Sequence, residues 1–317
     1  MKKSCLLIIP KHFYSFDDLF KSKLESRNYS VTIANDEYPE NLLGLLLGKL
    51  KFPISQRISH NMLKSKFISG KKYDLVLIFK GRGITLKTVI ELNEICPKVI
   101  GYNWDSFSIN CSPMKWYKDV SNFYTFDYKD SIKYNIPLVE LFSNESIGNI
   151  EKEVKYKFSA IIRNHSNRLK YLESFIRHFE IRKNDIYIYI YEKNIFFFLL
   201  NFVKSPILYI KYLKEIHFKP LDYNSYTDVL KYSCYTIDYA HPKQTGITMR
   251  CFEALNSNTK IVTNNKYIYN SMYFSDLNSM VYNLQSKQNS KTFDFSVGEN
   301  SVKSKRTIDD FLNEILK

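Results

Sequence analysis

Residues 235–255 hold the densest set of groups able to handle an anion. An apolar run ending at Asp238 and Tyr239 leads into a polar loop and then into a helical pattern that opens on Thr245-Gly246-Ile247-Thr248. The amino end of a helix offers unpaired N–H groups and a positive partial charge, which suits phosphate. Lys243 and Arg250 could neutralise a diphosphate, and Thr245 or Thr248 could cap the helix or touch phosphate oxygens. Gly246 allows the backbone to come close; His241 and Gln244 complete the loop. Glu253 follows Arg250 by three residues, on the same helix face, where a carboxylate could accept both hydroxyls of a ribose. Phosphate at the helix mouth and ribose on a carboxylate together describe a nucleotide-sugar pocket. The plainer reading of these residues is a capped helix whose Glu253 pairs with Arg250 in solvent.

A second set follows an apolar run at 99–102. In Gly101-Tyr-Asn-Trp-Asp-Ser-Phe107, Asp105 could act as a general base toward an acceptor hydroxyl; alternatively it caps a turn while Trp104 packs inward. Lys80-Gly81-Arg82-Gly83 resembles a fragment of a phosphate loop but lacks the six-residue glycine frame and the Lys-Ser/Thr ending. It fits either close approach to a ligand or a strand-to-helix turn. Asn264 and Asn265 could meet sugar or base edges, although paired Asn residues also simply make turns.

These residues need strands to place them. Short β-branched or aromatic runs predict strands at 5–9, 31–34, 75–79, 99–102, 123–126 and 138–141, with helices at 16–26, 42–49, 56–69, 85–95 and 114–119 between them. The polar stretch 143–155 reads as a linker. The alternation resumes with strands at 159–162, 186–191, 216–219, 235–239 and 260–263, and helices at 168–179, 196–214, 223–232 and 248–256. A closing helix is expected at 307–316. Strands alternating with helices argue for parallel sheets covered on both faces. The expected architecture is therefore α/β, with two Rossmann-like domains facing a cleft: residues 1–145, then 156–305, with 306–317 closing the chain. Ligands in such sheets bind at the carboxyl ends of strands.

The chain has 317 residues and a net charge of +14, which favours anionic partners; an AT-rich codon bias toward Lys would raise the charge as well. No Arg-rich tract or zinc spacing marks a nucleic-acid module, so no nucleic-acid partner is expected. Five cysteines without a CxxC pair fit free thiols in a reducing compartment. The apolar start breaks at Pro10-Lys11-His12 and reads as a strand, not a signal peptide. The apolar stretch 195–212 is interrupted by Asn201, Lys204, Ser205 and Pro206, too early for a span of ~20 residues. It could be a buried helix of the second domain or a basic, aromatic segment lying on an anionic membrane. A cytoplasmic protein is expected, with a place at the inner membrane face left open.

Taken together, Tyr102-Asn-Trp-Asp-Ser106, Phe123-Tyr-Thr-Phe-Asp127 with Pro137-Leu-Val-Glu-Leu-Phe142, and the stretch from Asp238 to Leu255 with Lys260-Ile-Val-Thr-Asn-Asn265 resemble a group of bacterial GT-B glycosyltransferases. These make capsule, O-antigen and lipopolysaccharide glycans and include CgeB-like proteins; the resemblance runs through residues 1–285. It implies a metal-independent transferase with no cofactor, its donor a nucleotide-sugar and its acceptor a glycan or lipid-linked glycan. Glu253 then matches the carboxylate that grips the donor ribose. His241, Lys243, Gln244, Thr245, Gly246, Thr248, Arg250 and Asn265 fall on the donor side; Gly81, Arg82 and Trp104 fall on the acceptor side. Many retaining members carry a second Glu eight residues before the ribose Glu. Thr245 stands there, so inversion with Asp105 as base is the better expectation. A non-catalytic polyanion-binding module and a sugar-nucleotide epimerase on the same frame remain as alternatives.

Overall fold

A computed structural model describes residues 2–10, 16–39, 53–144, 153–165, 167–275, 281–284, 293–295 and 305–317. The chain divides into two units, and neither is a single stretch of sequence. The first comprises Met1–Leu141, Pro242–Gly246 and Asp309–Lys317; the second comprises Phe142–His241 and Ile247–Ile308.

In the first unit, β1 (Lys3–Ile8), β2 (Tyr29–Ala34), β3 (Leu75–Phe79), β4 (Val99–Asn103) and β5 (Asn122–Thr125) form a parallel sheet in the order β2-β1-β3-β4-β5. Every residue of β3 and β4 is buried, as a sheet covered on both faces requires. Helix α1 (Phe16–Glu25) buries Phe16, Phe20 and Leu24, one residue per turn, and carries Asp17 and Asp18 at its positive end. Helix α2 (Pro53–Leu63) runs on into a π-helical turn, Lys64–Ile68. Helix α3 (Leu86–Ile95) starts at Thr85, whose hydroxyl accepts the Thr88 N–H at 3.1 Å. Helix α4 (Tyr128–Tyr134) is capped by Asp127 and stops at Asn135 in a left-handed conformation, φ 52°.

Two expectations change here. The strand foreseen at 138–141 is reduced to a single bridge between Thr125 and Leu138. Pro137 has no N–H to extend the ladder, and the Val139 carbonyl is taken by the Tyr102 hydroxyl at 2.8 Å. The helix foreseen at 114–119 is a 3-10 turn, Ser112–Lys115. The helix foreseen at 42–49 lies outside the described residues.

The second unit holds a six-stranded parallel sheet in the order β11-β10-β9-β6-β7-β8. Its strands are β6 (Tyr156–Arg163), β7 (Ile186–Tyr191), β8 (Ile216–His217), β9 (Ser233–Asp238), β10 (Lys260–Thr263) and β11 (Val281–Asn283). Counted from the first strand of the unit, this is the 3-2-1-4-5-6 order of a Rossmann sheet, and the direction of winding reverses between β6 and β9. Helices α5 (Arg168–His178), α8 (Tyr223–Lys231) and α9 (Met249–Asn256) join these strands. The continuous helix foreseen at 196–214 is broken into α6 (Ile195–Lys204), α7 (Pro206–Lys211) and a 3-10 turn at Leu213–Glu215. Pro206 cannot continue a helix but suits the first turn of a new one. No residue of α6 is fully buried, so it is not a core helix. Among the described residues, no helix is long and apolar enough to cross a membrane.

The expected linker at 143–155 is described only at 143–144 and 153–155. Its first residue is no free tether: Ser143 is buried and donates its N–H to the Arg306 carbonyl at 3.0 Å. Helix α10 (Ile308–Ile315) packs Phe311 edge-on against Tyr102 at 4.8 Å and beside Phe79 and Phe20. Lys23 and Arg27 pair with Asp309 at 2.7 Å.

Candidate functional site

In the second unit the candidate groups gather where the sheet reverses. Strand β9 ends on Asp238, buried at 2 % exposure. Its Oδ1 accepts the Thr248 hydroxyl at 2.7 Å and its Oδ2 the Thr263 hydroxyl at 2.9 Å. One carboxylate thus ties the ends of β9 and β10 to the mouth of α9. Thr248 occupies the N-cap position of α9, but its hydroxyl turns back to Asp238 and supplies no cap. Asn264 clamps the Ala240 backbone, accepting its N–H at 2.8 Å and donating to its carbonyl at 3.2 Å.

Glu253 lies one turn into α9 and is nearly sealed from water. Burial pushes its carboxyl up to about 7, against the opposing pull of the Tyr226 hydroxyl and the Arg250 charge. The Tyr226 hydroxyl donates to Oε2 at 2.7 Å. Arg250 is engaged with the sheet. Its guanidinium donates to the Ile237 carbonyl at 3.1 Å and to the Ile161 carbonyl, bridging β9 and β6. Asn265 is buried and accepts the Tyr267 N–H at 2.9 Å on its side-chain oxygen, the turn-making alternative of the sequence reading.

Sequence reasoning passed over the opposite side of the reversal. Strand β6 ends at Arg163, followed by His165 and Arg168. Local desolvation of the ring, then the charges of Arg168, Arg163 and His241, hold the His165 imidazole below its ordinary range although the residue as a whole is exposed, so it is neutral near pH 7. Arg163 and Arg168 supply positive charge at the carboxyl ends of β6 and β9, the position where a Rossmann sheet receives a phosphate-bearing ligand; Arg168 lies 5.9 Å over the Tyr239 ring. The available signal was a run of basic residues directly after a strand, hidden by the abundance of Lys and Arg elsewhere.

The first unit holds a separate set. Asp105 follows β4; its Oδ2 pairs with Lys80 Nζ at 3.1 Å and its Oδ1 accepts Gln244 Nε2 at 3.2 Å. Trp104 packs against Phe79, ring centroids 5.5 Å apart. Lys80 and Gly81 are both left-handed, φ 63° and 60°, and a Cβ on Gly81 would lie 2.5 Å from the Trp116 ring. Arg82 donates its N–H to Asp36 Oδ2 at 3.1 Å, and its side chain lies 3.6 Å from Glu37. Asp36, which the sequence reading missed, is buried; desolvation raises its carboxyl to about 6, against the charge of Lys80.

The loop Pro242–Gly246 belongs to this first unit, where the sequence reading had placed it within 156–305. Ser106 and Ser108 donate to the Lys243 carbonyl at 2.6 and 2.8 Å. Thr245 is held by Asp127, and a Cβ on Gly246 would meet the Phe126 ring at 2.3 Å. The expected donor residues therefore separate. Lys243, Gln244, Thr245 and Gly246 join Asp105 in the first unit, while His241, Thr248, Arg250, Glu253 and Asn265 stay in the second.

No protein-family model and no curated protein matches the sequence. Solved structures do match it. A UDP-GlcNAc 2-epimerase from Methanocaldococcus jannaschii, in complex with UDP-GlcNAc and UDP, aligns with a TM-score of 0.54 and 12 % identity, over 100 % of this chain and 99 % of that one. A sucrose-phosphate synthase from Thermosynechococcus elongatus aligns with a TM-score of 0.56 and 7 % identity, over 99 % of this chain and 97 % of that one. At such identity the likeness is one of fold, and the fold is that of the GT-B enzymes: two parallel-sheet α/β units.

Proposed function

We propose that the protein is a glycosyltransferase that moves a sugar from a nucleotide-sugar to a glycan or lipid-linked glycan of the bacterial surface. The observation that carries this is the reversal point of the second sheet. Arg163 ends β6, Arg168 lies 5.9 Å over the ring of Tyr239 just past β9, and the buried carboxylate of Glu253 lies one turn into α9. Cations for a diphosphate and an acceptor for a ribose are the two grips a nucleotide-sugar needs. The preference for surface glycans follows the motif resemblance around Asp105 and Asp238.

In this reading the acceptor hydroxyl attacks the anomeric carbon, its proton passes to Asp105, and the bond to the diphosphate oxygen breaks. The nucleoside diphosphate leaves with the bonding electrons, and the basic cluster stabilises its growing charge without a metal. Lys80 and Gln244 hold one oxygen each of the Asp105 carboxylate, fixing its direction. Attack from the face opposite the leaving group inverts the anomeric centre.

A thermal-shift panel of UDP-, GDP-, CMP- and dTDP-sugars tests the donor site. At a hundredfold excess over Kd, one of them should stabilise the fold by about 2.7 kcal/mol. No response to any nucleotide, with only salt-sensitive binding of polyanions, would replace this reading with a non-catalytic binding module. The full-length alignment with a 2-epimerase favours a second reading, epimerisation of the same donor. Conversion of the nucleotide-sugar with no acceptor present would decide for it.

A further inference from the structure

The crossover between β7 and β8 is built inside out. Some of its polar side chains face the protein. Buried Glu192 accepts hydrogen bonds from the Tyr209 hydroxyl, from Asn164 Nδ2 at 2.7 Å and from Asn201 Nδ2 at 3.3 Å. Glu173, also buried, accepts Lys211 Nζ at 2.7 Å and the Tyr212 hydroxyl at 2.6 Å. Phe198 and Phe202 pack inward against Tyr209. These anchors fix how α6 and α7 are rotated, and what they turn outward is apolar. Ile195, Phe196, Leu199, Leu200 and Val203 recur at helical spacing as one exposed stripe, which Ile207 and Ile210 of α7 extend. Val203 is 79 % exposed and Ile207 82 %. A patch of this kind on a folded protein marks a surface that something else covers.

We propose that α6 and α7 dock the protein on an anionic phospholipid membrane. The charge around the patch selects that occupant. Residues 193–214 contain Lys193, Lys204, Lys211 and Lys214 and no Asp or Glu. Lys211 is engaged by Glu173, while Lys204 and Lys214 are exposed beside the stripe. Short helices with an apolar face and flanking lysines lie in the plane of a membrane interface, the apolar side chains among the acyl chains and the ammonium groups at the phosphates. A second copy seated on the same face would set lysine against lysine with no acid within the segment to pair them. The inference goes beyond the chemistry proposed above and does not depend on which nucleotide-sugar is bound.

Co-sedimentation of the full chain with vesicles tests it. The protein should pellet with vesicles of phosphatidylcholine containing phosphatidylglycerol, weakly with phosphatidylcholine alone, and less as salt rises. The double variant Val203→Glu, Ile207→Glu should lower the bound fraction by about tenfold while keeping the thermal transition and the nucleotide response. In Ile207→Trp, brominated lipid should quench the added indole. Failure to pellet with anionic vesicles, equal pelleting of the double variant, or absence of quenching would each overturn the proposal. So would a dimer in sedimentation velocity that the double variant dissociates, because the face would then belong to a second copy.

Discussion

The carboxylate of Asp127 receives both the backbone N–H of Thr245, at 2.6 Å, and its hydroxyl, at 2.8 Å. The same carboxylate caps α4 through the Asp130 N–H at 3.1 Å. Thr245 in turn accepts the Lys129 N–H at 3.1 Å. A loop distant in sequence is thereby fastened to the start of a helix by one nearly dry group. Asp127→Ala should cost about 3 kcal/mol, the sum of charge-assisted bonds and a helix cap. Asp127→Asn should cost less, because its amide oxygen can still accept one of the bonds. Urea unfolding of both variants measures this, and a loss under about 0.5 kcal/mol for Asp127→Ala would place it among ordinary surface changes.

Glu253 predicts a pH signature. Its carboxyl is raised by burial to about 7 from an ordinary 4.5. Between those values the folded chain keeps a proton that the unfolded chain releases, so stability falls as pH rises. The contribution is full below about 4.5, gone above about 7, and worth about 3 kcal/mol at one pKa unit per ~1.4 kcal/mol. Glu253→Gln should flatten this decline in the difference between the two stability curves. If the carboxylate grips a ribose, nucleotide affinity should also weaken as pH drops below 7 and lose that dependence in the variant. Identical curves would remove Glu253 from both roles.

Arg250 offers a contrast between scaffold and ligand. Its guanidinium joins carbonyls on β6 and β9, a two-pronged task that a single ammonium does not reproduce. Arg250→Lys should destabilise the fold by about 1–3 kcal/mol and leave the salt dependence of nucleotide binding intact. A variant of normal stability with a large loss of nucleotide affinity would return Arg250 to the phosphate role that its sequence position suggested.

Asp105→Asn should lower kcat by about 10²–10⁴, the range for a lost general base, with the donor Kd unchanged. Lys80→Met and Gln244→Ala should act more mildly, by releasing the carboxylate they orient. Undiminished turnover in Asp105→Asn would end its part in proton transfer.

Much of the fold could be read from the chain because short runs rich in β-branched and aromatic residues mark its parallel strands. Strands 75–79, 186–191 and 260–263 have the observed bounds. Strand order had no such signal, since it depends on pairings between distant segments. Helix α4 was missed because Tyr128–Tyr134 lacks an apolar stripe and its cap, Asp127, looks like any turn residue. The failure at 138–141 came from a tertiary bond, the Tyr102 hydroxyl on Val139, that no local pattern records. At the candidate site, Asp105 stood out as an acid after a strand. Its partners Lys80 and Gln244 come from remote segments, and Asp36 lies in an unremarkable polar run.

Phe311 covers Phe20, Phe79 and Tyr102, yet the ribosome makes residues 142–308 before it reaches that side chain. The nascent amino-terminal sheet therefore waits, with part of its aromatic core wet, until the whole second unit has been translated. The half of the protein that is born first is the half that is finished last, and clipping residues 309–317 would injure it and spare its neighbour.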